Sequence, residues 1–153
     1  MPFEFRLEKV LKYRKRVVEK HTRDVGEAQL VVNSIVEKIT VMEEDINELL
    51  DANSMEINTT LNVEIMISRG HWLTHLEALQ LELANELATA EAELDHRRSL
   101  LARAWQDQEV LQRLREKQKI MWMDQQRKLE NKYLDEIGQI RADRQQREKV
   151  SLL

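Results

Sequence analysis

The chain has no cysteine, one proline and three glycines among its 153 residues. The absence of cysteine excludes disulfides and thiol chemistry and leaves the redox compartment open. So few glycines and prolines, with charged residues at 34% of the chain, favour long helices over turn-rich folds. Aromatic residues make up 5% and hydrophobic residues 42%, so the apolar content is mainly aliphatic. We therefore expect narrow apolar stripes that pack helix against helix, not a thick core.

Signals for membranes, catalysis and metals are also missing. No basic start is followed by the apolar segment of a signal peptide, and no run of about 18 apolar residues occurs, so we predict a soluble intracellular protein. The chain contains no phosphate-binding loop and no nucleophile placed beside a base, so we expect no enzymatic activity and no cofactor. His71 and His75 have a spacing that zinc uses, but no H-E-x-x-H pattern or third ligand accompanies them, so we predict no metal site.

Charge is distributed unevenly along the chain. Residues 1–23 hold 8 Lys/Arg against 3 Asp/Glu, residues 24–100 hold 4 against 16, and residues 101–153 hold 12 against 9. The ends are therefore basic and the middle is acidic. Basic ends suit phosphate binding, but acidic residues are interleaved with the C-terminal cations and no reading helix stands out, so we expect no nucleic acid partner.

Apolar residues follow a heptad pattern from Leu7 to Leu49, over about six repeats, which predicts a coiled-coil helix. Its positions are Leu7, Leu11, Arg14, Val18, His21, Val25, Ala28, Val32, Ile35, Ile39, Met42, Ile46 and Leu49. Arg14 and His21 interrupt the stripe, either as polar positions that fix the register or as part of a binding end.

Residues 51–70 break the pattern with several asparagines, paired threonines and β-branched residues, and Gly70 precedes a second register. The second register consists of Leu73, Leu76, Gln80, Leu83, Leu87, Ala90, Leu94, Arg97, Leu101, Ala104, Gln108 and Leu111. We predict an all-α fold: one coiled-coil domain over residues 1–153, with helices at about 4–52 and 71–148 joined by a connection at about 53–70.

Antiparallel pairing of the two stripes places residue i near residue 125 − i, if the turn is centred near residue 62. Beyond residue 118 the second helix then has no partner of its own, so we predict a C-terminal helical overhang. A new apolar stripe runs along it through Trp122, Leu129, Tyr133, Ile137 and Ile140.

Trp122, with Met121 and Met123, is a candidate anchor for a partner, because Trp and Met are frequent at interfaces. The alternative is that Trp122 packs on Phe3 or Phe5, and we expect it to serve both roles. Trp105 is either a partner anchor or a structural cover of the first helix near Lys20, and the structural role is favoured.

Two segments form a recognisable pair, FEFRLEKVLKYR at residues 3–14 and ENKYLDEIGQIR at residues 130–141. They resemble the corresponding segments of the FliJ family of flagellar type III export proteins, and Trp105 stands where that family often has tryptophan. Gly138 stands where the family pattern has alanine, and a glycine costs about 1 kcal/mol inside a helix.

The resemblance implies a non-enzymatic two-helix stalk that inserts its open end into the hexameric ring of the flagellar export ATPase. It also implies binding to the cytoplasmic domain of the membrane export gate, escort of export chaperones, and a cytoplasmic location at the base of the export apparatus. The protein would be a monomer when free. The residues expected at the ring are Phe3, Phe5, Tyr13, Arg14, Trp122, Lys132, Tyr133, Asp135, Glu136, Ile137 and Arg141.

Two other functions fit the sequence. One is a structural coiled-coil protein that self-associates through the same heptads, and the other is the equivalent stalk of a virulence-type secretion system.

Overall fold

A computed structural model describes residues 2–56 and 63–152, with side chains for residues 2–52 and 63–152. It contains two long helices, α1 over Glu8–Glu56 and α2 over Val63–Ser151. The two helices pack against each other in antiparallel fashion, so the predicted all-α hairpin is confirmed.

The first helix begins later than expected. We predicted a start near residue 4, but α1 begins at Glu8, after a turn at residues 6–7. The backbone N–H of Glu8 donates to the carbonyl oxygen of Phe5 at 3.1 Å, and that of Leu11 donates to Leu7 at 2.9 Å. Glu8 also places a carboxylate in the first turn, where the helix dipole favours negative charge.

The predicted connection at 53–70 is too long. Residues 53–56 belong to α1 and residues 63–70 belong to α2, while residues 57–62, with the predicted centre of the turn, lie outside the described residues. Poor helix formers such as Val63 and Ile65 each cost only a few tenths of a kcal/mol, and a continuing ladder of backbone hydrogen bonds offsets that cost. Gly70 has no positive φ and sits inside α2, so it does not begin the helix as predicted.

The heptad registers are confirmed along their whole length. Every residue of both predicted stripes is buried or half-buried, including the polar Arg14, His21 and Gln80. The pairing rule also holds, because Arg97 reaches Asp24 and Glu27, and Arg115 reaches Glu8, each within about one helical turn of the expected position.

The chain divides into two compact units, which are described separately. The middle unit is Arg16–Trp105, and the terminal unit combines Met1–Lys15 with Gln106–Leu153. The middle unit has 8 Lys/Arg and 17 Asp/Glu, a net charge of −9, whereas the terminal unit has 16 and 11, a net charge of +5. The prediction that residues 1–153 form a single domain stays a prediction.

The middle unit is held by a thin apolar seam between its two helical segments. Ala28, Val32 and Leu94 form its buried cluster, with Val25, Leu87 and Ala90 packed around them. Arg97 borders this seam, where its Nη1 donates to the backbone carbonyl of Asp24 at 2.8 Å and its Nε donates to Glu93 at 2.9 Å. The seam therefore combines aliphatic packing with a hydrogen bond from Arg97 that joins the two helices.

Candidate partner-binding surface of the terminal unit

The N-terminal segment of the terminal unit packs back on the helices. Leu11 is only 1% exposed, and Phe5 is also buried. Phe3, before the start of α1, places its ring 6.0 Å from that of Trp122 at an angle of 52°. Residues 3 and 122 are the pair that the rule 125 − i brings together, so the segment before α1 continues the antiparallel pairing of the two helices.

This contact corrects the predicted start of the overhang. We expected no intramolecular partner beyond residue 118, but Trp122 is half-buried against Phe3, and Gln126 is half-buried as well. The expectation that Trp122 packs on Phe3 or Phe5 is confirmed for Phe3, and its role as a partner anchor stays a prediction. The overhang is defined from here on as residues 127–152.

Two ion pairs between the helices flank the buried residues of this unit. Arg14 Nη1 lies 3.4 Å from Asp107 Oδ2, and Arg115 Nε lies 3.1 Å from Glu8 Oε2. Sequence reasoning singled out Arg14 but missed Asp107, Glu8 and Arg115. The signal was available in the pairing rule, which brings positions 8 and 115 within about one helical turn of each other. Arg14 therefore has a partner within the chain, and its contact with the ring stays a prediction.

The overhang is a single exposed helix. Of its described residues only Ile137 is half-buried, and Tyr133 is 64% exposed. The large apolar side chains that remain exposed on the overhang are Leu129, Tyr133, Leu134, Ile140, Val150 and Leu152. An exposed stripe of this length is typical of a surface that a partner covers.

The charged residues predicted at the ring lie on the same overhang. Lys132, Asp135, Glu136 and Arg141 are all exposed, and none of them makes an ion pair within residues 2–52 and 63–152. Their charges are therefore available for contacts to another molecule. The structure brings together Phe3 and Trp122, and it gathers the predicted residues from Lys132 to Arg141 on one helix.

Two other aromatic residues singled out from the sequence do not belong to the overhang. Tyr13 is exposed on α1 of the terminal unit, and Trp105 is exposed by 54% in the middle unit. Part of the Trp105 indole is therefore covered and part is uncovered, and the choice between a structural role and a partner anchor stays open. Sequence reasoning did not include Ile120 or Leu134 among the site residues, although both are exposed aliphatic side chains beside the predicted stripe.

Metal binding and membrane crossing are two further possibilities for the described part of the chain. No group of three or more His, Cys, Asp or Glu side chains there is placed to hold a metal ion. His75 instead lies against Trp72, with ring centroids 5.6 Å apart. Among the described helical segments, none combines the length and apolar character that crossing a membrane requires.

Comparison with known proteins identifies a family. No curated protein and no solved structure matches the chain. The family model described as Flagellar FliJ protein matches residues 3–147, which is nearly the whole chain. That family consists of non-enzymatic coiled-coil components of the flagellar export apparatus, in agreement with the two antiparallel helices and the sequence resemblance. This chain therefore belongs to the FliJ family.

Proposed function

We propose that this chain is the stalk of the flagellar export ATPase, with its terminal unit inserted into the hexameric ring and a link to the cytoplasmic domain of the membrane export gate. In this role it works in the cytoplasm at the base of the export apparatus and escorts export chaperones. Membership of the family associates the chain with the export apparatus. The surface of the terminal unit supports the proposal that the ring binds there.

The observation that carries the proposal is the overhang. It presents an exposed apolar stripe that no other described segment of the chain covers. This part of α2 extends beyond the residues that pair with α1 and the segment before it. Covering a side chain the size of Tyr133 or Leu129 with a partner contributes about 1.5–3 kcal/mol at most. A few such contacts give binding that is specific and still reversible, as a part working inside a ring requires.

Charge supports the same orientation. The terminal unit has a net charge of +5, and the middle unit has a net charge of −9. If the lining of the ring is acidic, the terminal unit is attracted to it and the middle unit is repelled, so electrostatic steering selects which end enters. Steering of this kind weakens with salt because exposed charges are screened within about 10 Å at 0.1 M ionic strength.

The test is ATP hydrolysis by the export ATPase of the same export system, measured with increasing amounts of the full chain. We expect the chain to raise the hydrolysis rate and the fraction of ATPase present as hexamer. A Tyr133→Ala, Leu134→Ala double variant should increase the concentration needed for half-maximal stimulation by about tenfold, because both side chains are exposed anchors.

The matched control is Leu81→Ala, which removes an equally exposed leucine from the middle unit. It should leave stimulation unchanged, and circular dichroism should show the same helicity for all three proteins. A flat response of the ATPase to the wild-type chain would overturn the ring role. Equal losses from Leu81→Ala and the double variant would move the binding surface away from the overhang.

Light scattering separates this proposal from a self-associating coiled coil. The intramolecular seam already uses both heptad stripes, so the chain should have the mass of one copy at micromolar concentration. A stable dimer that persists on dilution would favour the structural coiled coil instead.

A further inference from the structure

The middle unit carries a groove that the proposed stalk function does not use. It has a volume of about 730 Å³ and lies between α1 and α2. Val31, Ile35 and Ala90 form its floor, and Glu82, Glu86 and Glu93 stand along it on α2. A second groove shares Val31, Ala90 and Glu93 and continues to Arg97. Together they follow α2 from Glu82 to Arg97, a length of about 22 Å at 1.5 Å per residue. We call this surface the acidic groove.

The floor of the acidic groove is suited to another helix. Ala90 has a small side chain at a position where most seam residues are large, so the surface between the helices is recessed. Val31 is 54% exposed although it lies beside the fully packed Ile35. A recessed apolar strip of this kind accepts the aliphatic ridge of a third helix, as in helix-in-groove recognition.

The carboxylates of the groove differ in whether they form an ion pair. Glu93 accepts a hydrogen bond from Arg97 Nε at 2.9 Å, and Glu27 lies 3.9 Å from Arg97 Nη1. Glu82 and Glu86 make no ion pair with any described side chain. They are four residues apart on one helix, where two like charges destabilise each other, so a cation between them removes a repulsion as well as adding an attraction.

On the opposite flank of the same two helices, an arginine makes the contact between them. There Arg98 donates to Gln29 Oε1 at 3.1 Å and lies 3.9 Å from Asp95. The acidic groove has Arg97 at one end, where Glu93 and Glu27 engage it, and Glu82 and Glu86 stand beside the apolar floor without an ion pair among the described residues. Two such carboxylates beside an apolar strip are complementary to a ligand that carries both aliphatic side chains and positive charge.

We propose that the acidic groove docks an amphipathic helix of a partner protein, which seats aliphatic side chains on Val31 and Ala90 and places Lys or Arg beside Glu82 and Glu86. The overhang of a second copy also carries Lys and Arg near an apolar stripe, so the experiment below distinguishes that occupant from a separate partner. The groove lies in the middle unit, so this docking does not depend on the ring function.

The experiment uses the full chain and a fluorescent synthetic helix of about 21 residues built from Leu, Ala and Lys in an amphipathic pattern. Binding is measured by fluorescence anisotropy, and a Kd of about 10 μM is expected for a small interface of this kind. A second probe with Glu in place of every Lys should bind at least about tenfold more weakly, because like charges oppose docking.

Two pairs of matched variants locate the site. Glu86→Lys should weaken binding about tenfold, whereas Glu91→Lys, an exposed residue of α2 that does not line the groove, should change it less than about twofold. Val31→Lys places a cation on the apolar floor and should weaken binding, whereas Leu30→Lys changes a more exposed neighbour outside the groove and should not. All four positions keep the seam intact, which an unchanged unfolding midpoint verifies.

Three outcomes would overturn the proposal. Equal weakening by Glu86→Lys and Glu91→Lys would mean general attraction to an acidic rod, and absence of binding by the Lys probe would mean that the groove takes no basic helix. If the chain's own mass rises with concentration and Glu86→Lys abolishes that rise, the occupant is a second copy and not a separate partner.

Discussion

The middle unit and the terminal unit are built from the same two helices but use their apolar residues differently. In the middle unit each large seam residue, such as Leu94, faces the other helix and is covered. On the overhang of the terminal unit, residues of the same kind, such as Leu129, are exposed. The comparison teaches that hydrophobic periodicity alone does not distinguish a surface for folding from a surface for binding. The difference lies in whether the chain itself provides a second stripe at the matching position.

The largest expected effect compares two leucines of these units. Leu94 is 5% exposed and Leu129 is 60% exposed. Leu94→Ala should lower the free energy of unfolding by about 2–4 kcal/mol, because it leaves a cavity beside Ala28 and Val32. Leu129→Ala should change it by less than about 0.5 kcal/mol. Urea denaturation followed by circular dichroism measures both, and similar losses from the two variants would remove the distinction between the units.

A smaller effect compares two arginines that contact the other helix, Arg97 in the middle unit and Arg14 in the terminal unit. Arg97→Ala should cost about 1–2 kcal/mol, because it removes a charged hydrogen bond to the carbonyl oxygen of Asp24 and one to Glu93. Arg14→Ala should cost less than about 1 kcal/mol, because its contact with Asp107 is 3.4 Å long and largely exposed. Urea midpoints at low and high salt separate the two. A loss at Arg14 as large as that at Arg97 would show that the terminal unit is held as firmly as the middle unit.

The smallest effect compares two helical glycines. A Cβ atom added at Gly26 or Gly138 meets nothing within 4 Å. Each change to alanine should therefore favour the helix by up to about 1 kcal/mol. Gly26→Ala should raise the unfolding midpoint, since Gly26 belongs to the paired middle unit. Gly138→Ala should instead slow amide hydrogen exchange within the overhang and leave the midpoint unchanged. A raised midpoint from Gly138→Ala would mean that the overhang unfolds together with the rest.

Much of the fold follows from the sequence because, within one chain, the heptad spacing leaves one good arrangement. Two stripes of matching length, separated by a segment poor in helix formers, can cover each other only as an antiparallel hairpin. Buried positions such as Leu11 and Leu94 follow directly from that arrangement. The ends of the helices do not, because the helix penalties at residues 63–70 are too small to decide where a helix begins.

The candidate site was less predictable, for reasons that can be named. Pairing of residue i with residue 125 − i already places Phe3 opposite Trp122, but it could not show how much of the indole that contact covers. The acidic groove was not predicted because Ile35 and Ala90 of its floor belong to the seam. Only the structure shows that Val31 lies exposed beside them. The residues expected at the ring lie mainly on one exposed helix, but their contact with the ATPase stays a prediction.

The contacts between α1 and α2 also have a consequence for the order of folding. Hydrogen bonds between the helices join residues 69 and 73 positions apart in the middle unit, and 93 and 107 positions apart in the terminal unit. Since a longer loop costs more entropy to close, pairing should start in the middle unit and reach the terminal unit last. The reverse order holds for opening, so the contacts of Arg14 and Glu8 should be the first to fluctuate at equilibrium.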